Sequence, residues 1–323
     1  MTSTMLAAVL AAPRTVRVER VPLPTPGPGQ VRVRLEGCGV CASNIPPWEG
    51  REWFSYPLAP GQLGHEGWGR VDAVGDGAAG LRVGDRVAFL SGHAYAEYDV
   101  CAAAEAVALP ASLDRMPFPG EPLGCAMNIF QAAAIARGET VAIVGAGFLG
   151  QLLTRMAADT GARVIALSRR GSGLSSASRL GAAVAMPLDD HQRIIDEVRR
   201  LTGGRFCDVV IEATGKPWPL DLAGELCRER GRLVIAGYHQ DGLRQINMQL
   251  WNWRGLTVLN AHWRDSADYV AGIRAAAAAV ASGQLDPAPL FTHRYPLEGL
   301  GAALADTGER PDGFMKGLIE FAN

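Results

Sequence analysis

The chain has 323 residues, 48% of them hydrophobic and 20% charged, enough to bury the cores of two domains. With 31 basic against 33 acidic residues the formal net charge is -2, and no long run of either sign offers itself to a phosphate backbone or an anionic membrane surface. Nucleic acid and membrane partners are therefore not expected. Cysteines at 38, 41, 101, 125, 207 and 227 are too sparse and irregular for a disulfide scaffold and fit a reducing cytoplasm.

Met5 to Ala12 is apolar but lacks a basic stretch before it and runs into the alternating Thr15-Val16-Arg17-Val18-Glu19-Arg20, so a first strand is expected there, not a signal peptide. Short alternating runs at Val31 to Leu35, Gly69 to Val74 and Arg86 to Phe89 continue a β-rich, partly barrel-like half to about Val107. The Pro117-Phe118-Pro119-Gly120 break changes the rhythm. After it, the apolar run Val141 to Val144 leads through a glycine turn into a helix with Leu149, Leu152, Leu153 and Met156 on one face, the opening of a Rossmann domain. A strand at Arg163 to Leu167, a helix at His191 to Leu201 stopped by Gly203-Gly204, and strands at Asp208 to Glu212 and Arg232 to Ala236 predict a doubly wound parallel sheet with helices on both faces. The alanine run Ala275 to Ala281 is too short to span a bilayer. Beyond about Asn260 the tail is expected to return to the first domain. The domains expected are 1–128 with 262–323, catalytic, and 129–261, dinucleotide-binding.

Three separated fragments carry residues that fit one metal site: Cys41, His65 and Cys125. Two thiolates and an imidazole fill three corners of a tetrahedral zinc and leave the fourth for water or substrate, which is a catalytic arrangement. Gly145-Ala146-Gly147-Phe148-Leu149-Gly150 follows a predicted strand and opens a helix, the context in which a GxGxxG binds a dinucleotide. Gly145 permits the tight turn, Gly147 lets the backbone approach the pyrophosphate, and Gly150 lets helix and strand pack closely. An NAD enzyme carries Asp or Glu at the end of the next strand; this chain has Ser168-Arg169-Arg170, which leaves a 2′-phosphate unopposed and favours NADP(H) over NAD(H).

The segments Gly39-Val40-Cys41-Ala42-Ser43, Gly64-His65-Glu66, Gly84-Asp85-Arg86-Val87 and Pro122-Leu123-Gly124-Cys125, with the glycine turn, resemble the zinc-dependent medium-chain alcohol dehydrogenase family over nearly the whole chain. The resemblance implies a GroES-like catalytic domain beside the Rossmann domain, overall an α/β protein. It makes Cys41, His65 and Cys125 the ligands of a catalytic zinc, with Glu66 as the neighbouring carboxylate that holds or supports the fourth position. It makes Ser43 the hydroxyl that bonds the substrate oxygen and begins the path of its proton. It lays Ala213-Thr214-Gly215 under the riboses and directs Lys316 at the pyrophosphate. Phe148 and Leu149 complete the turn around the phosphates.

Three departures stand out. Asn44 replaces the family's Asp and Pro46 a common histidine, so the usual proton relay is interrupted and the cofactor ribose or water must serve instead. The four-cysteine lobe of the structural zinc is missing, because Phe89 to His93 runs directly into Ala94 to Tyr98; one zinc per chain is expected, and His93 is expected to fill the turn left behind. The reading is an oxidoreductase moving hydride between a small alcohol, polyol or carbonyl and a nicotinamide, in a homodimer or homotetramer. Trp48, Trp53, Phe54, Tyr56, Trp251, Trp253, His262 and Trp263 supply candidates for the pocket wall, with the rest of them in the core or at subunit contacts. A zinc-free quinone or enone reductase of the same superfamily and a non-catalytic nucleotide-binding protein are the alternatives.

Overall fold

The computed structural model describes residues 3–240 and 242–321. The chain divides into two compact units, Met1–Cys125 with Arg264–Asn323, and Ala126–Trp263. The first opens with β1 (Thr4–Ala12), β2 (Thr15–Pro22) and β3 (Gln30–Gly39). A short helix α1 (Ile45–Glu49) follows, then β4 (Gly67–Val74), β5 (Arg86–Phe89), β6 (Tyr98–Ala102) and β7 (Ala106–Ala108). Helix α2 (Gly120–Ala133) crosses the sequence boundary between the units. The second unit alternates β8 (Thr140–Val144), α3 (Phe148–Asp159), β9 (Arg163–Ser168), α4 (Gly171–Arg179), β10 (Val184–Pro187), α5 (His191–Leu201) and β11 (Cys207–Glu212). It ends with α6 (Pro217–Leu226), β12 (Cys227–Ile235), α7 (Met248–Arg254) and β13 (Thr257–Asn260). The chain then adds α8 (Ser266–Ala281), β14 (Phe291–Tyr295), α9 (Leu300–Glu309) and β15 (Lys316–Glu320) to the first unit.

In the first unit a sheet runs β14-β15-β3-β4-β5-β7, with β6 also paired to β3, and β1 and β2 form a separate hairpin. Strand β3 alternates as a half-buried strand should: Val31, Val33 and Leu35 are buried, while Arg34 between them faces water. Those residues meet Leu10, Val71, Val87, Phe89 and Leu304 in one core. Arg86 of β5 is buried and locks the segment before α2 in place, its guanidinium donating to Glu36 Oε2 (2.6 Å), Leu113 O (2.7 Å) and Met116 O (2.8 Å).

The second unit is an all-parallel sheet in the order β10-β9-β8-β11-β12-β13, the doubly wound arrangement of two mononucleotide-binding halves. Its central strand β8 is buried at Val141 to Val144, as a strand covered on both faces must be. Helix α5 spans the expected residues, with Ile194, Ile195 and Val198 buried, Asp190 capping its first turn, and Gly203 and Gly204 ending it at φ 60° and 84°. Strand β12 begins five residues before the expected Arg232, because Cys227 already pairs with Cys207 and the polar Arg228-Glu229-Arg230 that follows hides the strand from a pattern of apolar residues. Leu149 of α3 is only half-buried, while Leu152, Leu153 and Met156 face the core. Among the described residues no helix is long and apolar enough to cross a membrane.

Candidate metal centre and nucleotide site

Backbone pairing in the first unit gathers residues that lie far apart in sequence. Gly39 at the end of β3 donates its N–H to Glu66 O (3.1 Å), and Val40 donates to Gly317 O of β15 (2.9 Å). These two bonds bring Cys41, Glu66 and Lys316 to one place. Cys41 sits in extended conformation at the entrance to a 3-10 turn over Ala42–Asn44, so its side chain leaves the strand end freely. The donor atoms of Cys41, His65 and Glu66 all lie within 4.8 Å of one another. Gly39 is required here: a Cβ on it would stand 1.8 Å from Glu66 Oε2.

His65 is oriented by its own chain. Its Nδ1–H donates to Leu63 O (2.8 Å), and its side chain bonds Cys41, which leaves Nε2 for the cluster. Leu63 takes the left-handed φ of 80°, and its carbonyl accepts a second bond from Asn44 Nδ2 (2.8 Å). Asn44 is 1% exposed, and its amide also reaches Tyr95 Oη at 3.4 Å. An aspartate there offers only acceptors when ionised, so the asparagine has a physical reason: it donates to the carbonyl that fixes the His65 tautomer. Pro46 likewise occupies the first turn of α1, where a missing N–H costs nothing. Ser43 Oγ lies 3.5 Å from Asn44 Oδ1, at the limit of a hydrogen bond.

Glu66 is fully buried, and Lys316 Nζ lies 2.6 Å from each of its oxygens. The hydrogen bond is directed at Oε1; Oε2 accepts none. The resemblance directs Lys316 at the pyrophosphate, whereas the structure buries its ammonium against Glu66. Cys125 is not among the three residues that converge. It lies one helical turn along α2 from Glu121, and its thiol donates to Glu121 Oε1 at 3.2 Å. Glu121 escaped the sequence reading, although its i, i+4 spacing from Cys125 in the first turns of a helix was visible.

Burial and neighbouring charges compete over the protons of this cluster. Burial alone would lower the His65 pKa, but the charges of Cys41, Glu121 and Glu66 and the bond to Cys41 push it up to about 10. Lys316 is likewise disfavoured by burial and held above its usual value by Glu66, Cys41 and Glu121. Burial, and secondarily Glu121, drives the Cys125 thiol upward, and burial raises Glu121 itself. The site thus retains protons that a divalent cation would displace. Thiol, imidazole and carboxylate donors gathered within 4.8 Å of one another are a set zinc suits, so the residues fit the metal.

In the second unit the glycine turn lies at the C-terminal end of β8. Gly145 takes φ 109°, and a Cβ on it would meet Thr214 Cγ2 at 2.5 Å. A Cβ on Gly150 would meet Gly145 O at 2.0 Å, so close helix packing demands glycine. A Cβ on Gly147 would touch nothing within 4 Å, which leaves the N-terminus of α3, Phe148 and Leu149, open to an anionic group. Gln151, another residue the sequence reading passed over, is fully buried and ties the turn to α4 by donating to Ala146 O (3.0 Å) and Gly173 O (2.8 Å). Ser168 ends β9 with its Oγ accepting from Arg170 N (3.2 Å); Arg169 is exposed and Arg170 half-buried. Ala213, Thr214 and Gly215 follow β11 at the neighbouring strand end.

Other expected residues separate. Trp48 belongs to the core of the first unit and Trp251 to that of the second, while Trp53 and Trp253 are exposed. His93 is exposed in the turn between β5 and β6, its N–H bound to Asp99 Oδ2 (3.0 Å).

Comparison with known proteins gives two family matches. Residues 27–125 match the alcohol dehydrogenase GroES-like domain and residues 149–278 the zinc-binding dehydrogenase family. The chain is 27% identical to a sorbitol dehydrogenase of Halalkalibacterium halodurans, over 87% of this chain and 89% of that one. It is 29% identical to the L-threonine 3-dehydrogenase of Pyrococcus furiosus, over 85% and 86% of the two chains. The fold superposes on a zinc-binding dehydrogenase from Sinorhizobium meliloti bound to NADP with TM-score 0.84 and 24% identity, covering 99% and 100% of the chains. Two successive family matches, a GroES-like unit and a doubly wound sheet arranged as the resemblance anticipates place this chain in the zinc-type medium-chain dehydrogenase/reductase family.

Proposed function

We propose that the protein is a zinc-dependent oxidoreductase of the cytoplasm that moves a hydride between a small alcohol or polyol, or its carbonyl counterpart, and a nicotinamide, NADP(H) in preference to NAD(H). The observation that carries this reading is the convergence of Cys41, His65 and Glu66 within 4.8 Å, with Glu66 buried and the other two half-buried. Cys41, His65 and Glu66 hold the metal, with Cys125 and Glu121 as the donors supplied by α2. A zinc held there would supply Lewis acidity toward the substrate oxygen, and a bound nicotinamide would supply the hydride chemistry.

The chain's own residues do the rest. Leu63 O holds the His65 tautomer, and Lys316 answers the charge of Glu66. Ser43 Oγ bonds the substrate oxygen and takes part in moving its proton. An amide is no base, so Asn44 cannot carry that proton onward, and Pro46 has no group to receive it; the proton leaves Ser43 by another route. The first unit carries the metal chemistry. In the second, Gly145, Gly147 and Gly150 seat the pyrophosphate, Ser168, Arg169 and Arg170 receive the 2′-phosphate, and Ala213 and Thr214 lie under the ribose. The sorbitol and threonine dehydrogenase relatives support a secondary alcohol as substrate, and a homodimer or homotetramer is the expected assembly.

Zinc per chain, measured by mass spectrometry on protein purified without chelators, tests the reading. About one zinc is expected, lost in Cys41→Ser and accompanied in the wild type by polyol-dependent NADP reduction. Cys125→Ser separates the two donors of α2: full retention of zinc assigns the remaining position to Glu121. No zinc after reconstitution overturns the proposal and points to a metal-free reductase.

A further inference from the structure

The second unit holds an ionic chain, anchored on a buried carboxylate, that the nucleotide motif does not use. Glu212 ends β11, is 0% exposed, and bonds to the loops that follow β11 and β12. Its backbone O accepts from Ala236 N and Gly237 N, each at 2.8 Å. Its Oε1 accepts from Thr214 N (2.7 Å), Gly215 N (3.0 Å) and the Thr214 hydroxyl. Its Oε2 is bonded to His239 Nε2 at 2.9 Å. The other ring nitrogen, Nδ1, receives Arg244 Nε at 2.9 Å. A guanidinium only donates, so Nδ1 is an acceptor and the ring proton resides on Nε2, directed at Glu212. A neutral imidazole therefore relays between a buried carboxylate and the cation that answers it. Arg244 also donates to Gly242 O (3.1 Å), Leu243 O (3.2 Å) and Gly215 O (3.4 Å), closing the circuit onto the loop where it began.

Such a device costs desolvation and persists where geometry matters. Here it sets the relation between two loops, 213–215 and 236–239, that leave neighbouring parallel strands. Their backbones touch: a Cβ on Gly237 would stand 2.2 Å from Gly215 N, and one on Gly215, at φ 68°, would stand 2.5 Å from Tyr238 O. In a doubly wound sheet the glycine turn and the end of the second strand serve the adenosine half, so the strands beyond the switch point serve the other mononucleotide. Resting on the dinucleotide reading above, we propose that Glu212, His239 and Arg244 are positioning residues that hold these two loops in the shape the nicotinamide half of the cofactor requires, leaving the adenine half indifferent to them.

Calorimetric titration of the full-length protein with NADPH, NADH, 2′,5′-ADP and ADP tests this. His239→Leu keeps the volume but breaks the relay, and should weaken both dinucleotides by about tenfold or more while leaving the adenine-half ligands unchanged. His239→Gln, whose amide donates to Glu212 and accepts from Arg244, should restore most of that loss, which a merely space-filling histidine would not explain. Dinucleotide affinities equal to wild type in His239→Leu overturn the proposal. So does a parallel loss of 2′,5′-ADP and ADP, which would make the chain a general support of the fold. A wild-type protein that binds both adenine-half ligands and neither dinucleotide overturns it together with the dinucleotide reading, an outcome the variants alone cannot mimic.

Discussion

The candidate metal centre and the nucleotide turn have opposite constructions. The first is made of side chains: Cys41, His65, Glu66 and Lys316 come from three stretches of sequence, with the ion-paired Glu66 and Lys316 250 residues apart, and the buried carboxylate stands because it has a partner. The second is made of backbone. Gly145, Gly147 and Gly150 offer no side chain at all, and what they contribute is a φ of 109° at the first, open approach at the second and a 2.0 Å clearance at the third that no Cβ tolerates. One site stores its specificity in electrostatics and the other in shape, so perturbations of charge and of volume should act on them separately.

The largest break in that comparison is Lys316→Met. It removes the ammonium paired with the fully buried Glu66, and breaking a buried ion pair costs about 3–5 kcal/mol. Urea unfolding of zinc-free protein should show that loss, and saturating zinc should recover part of it while NADPH affinity stays as in wild type. A stability within about 1 kcal/mol of wild type would mean that the carboxylate takes up a proton or solvent more readily than its burial implies.

Gly145→Ala is the converse, with a smaller effect. Alanine at φ 109° is strained by about 1–3 kcal/mol, and its methyl group must displace Thr214, so dinucleotide affinity should fall about tenfold. Zinc content should not change. If the variant also lost zinc, charge and shape would not be separable in this molecule, and the contrast drawn above would fail.

The same contrast explains what the sequence disclosed. Shape in the second unit is written locally: a strand, three glycines at fixed spacing and a helix are contiguous, and the burial of β8 and α5 follows their apolar pattern. Charge in the first unit is written piecemeal. Cys41, His65 and Glu66 stand out because their residue types bind metals, but Glu121 and Lys316 are ordinary charged residues until β15 pairs with β3 and α2 turns its first residues toward His65. Gln151 and the chain from Glu212 to Arg244 escaped for the same reason. Their partners, backbone carbonyls for Gln151 and side chains of a distant loop for Glu212, arrive from elsewhere in the fold, and no local pattern announces such a pairing. Asn44 and Pro46 read as defects in a relay, and the fold gives them other work at Leu63 O and at the start of α1.

The smallest expected effect sharpens the comparison where the two modes meet, at the end of β9. Ser168 is buried and its Oγ is turned to Arg170 N, so the serine shapes the corner and its hydroxyl proton remains to donate. Arg169 is exposed and Arg170 half-buried, and no carboxylate occupies 168–170 to repel a phosphate or to hold a ribose. Discrimination here should therefore be electrostatic and partly screened by solvent. The double variant Arg169→Ala with Arg170→Ala is expected to raise the Kd for NADPH about tenfold, in line with the loss of charge-assisted bonds at an accessible site, and to leave NADH nearly unchanged. The preference should also fade as salt is added, since exposed charges are screened within about 8 Å at physiological ionic strength. A wild-type protein that binds NADH as tightly as NADPH, or a double variant whose ratio does not move, would show that this corner reads the cofactor by shape alone, as the glycine turn beside it does.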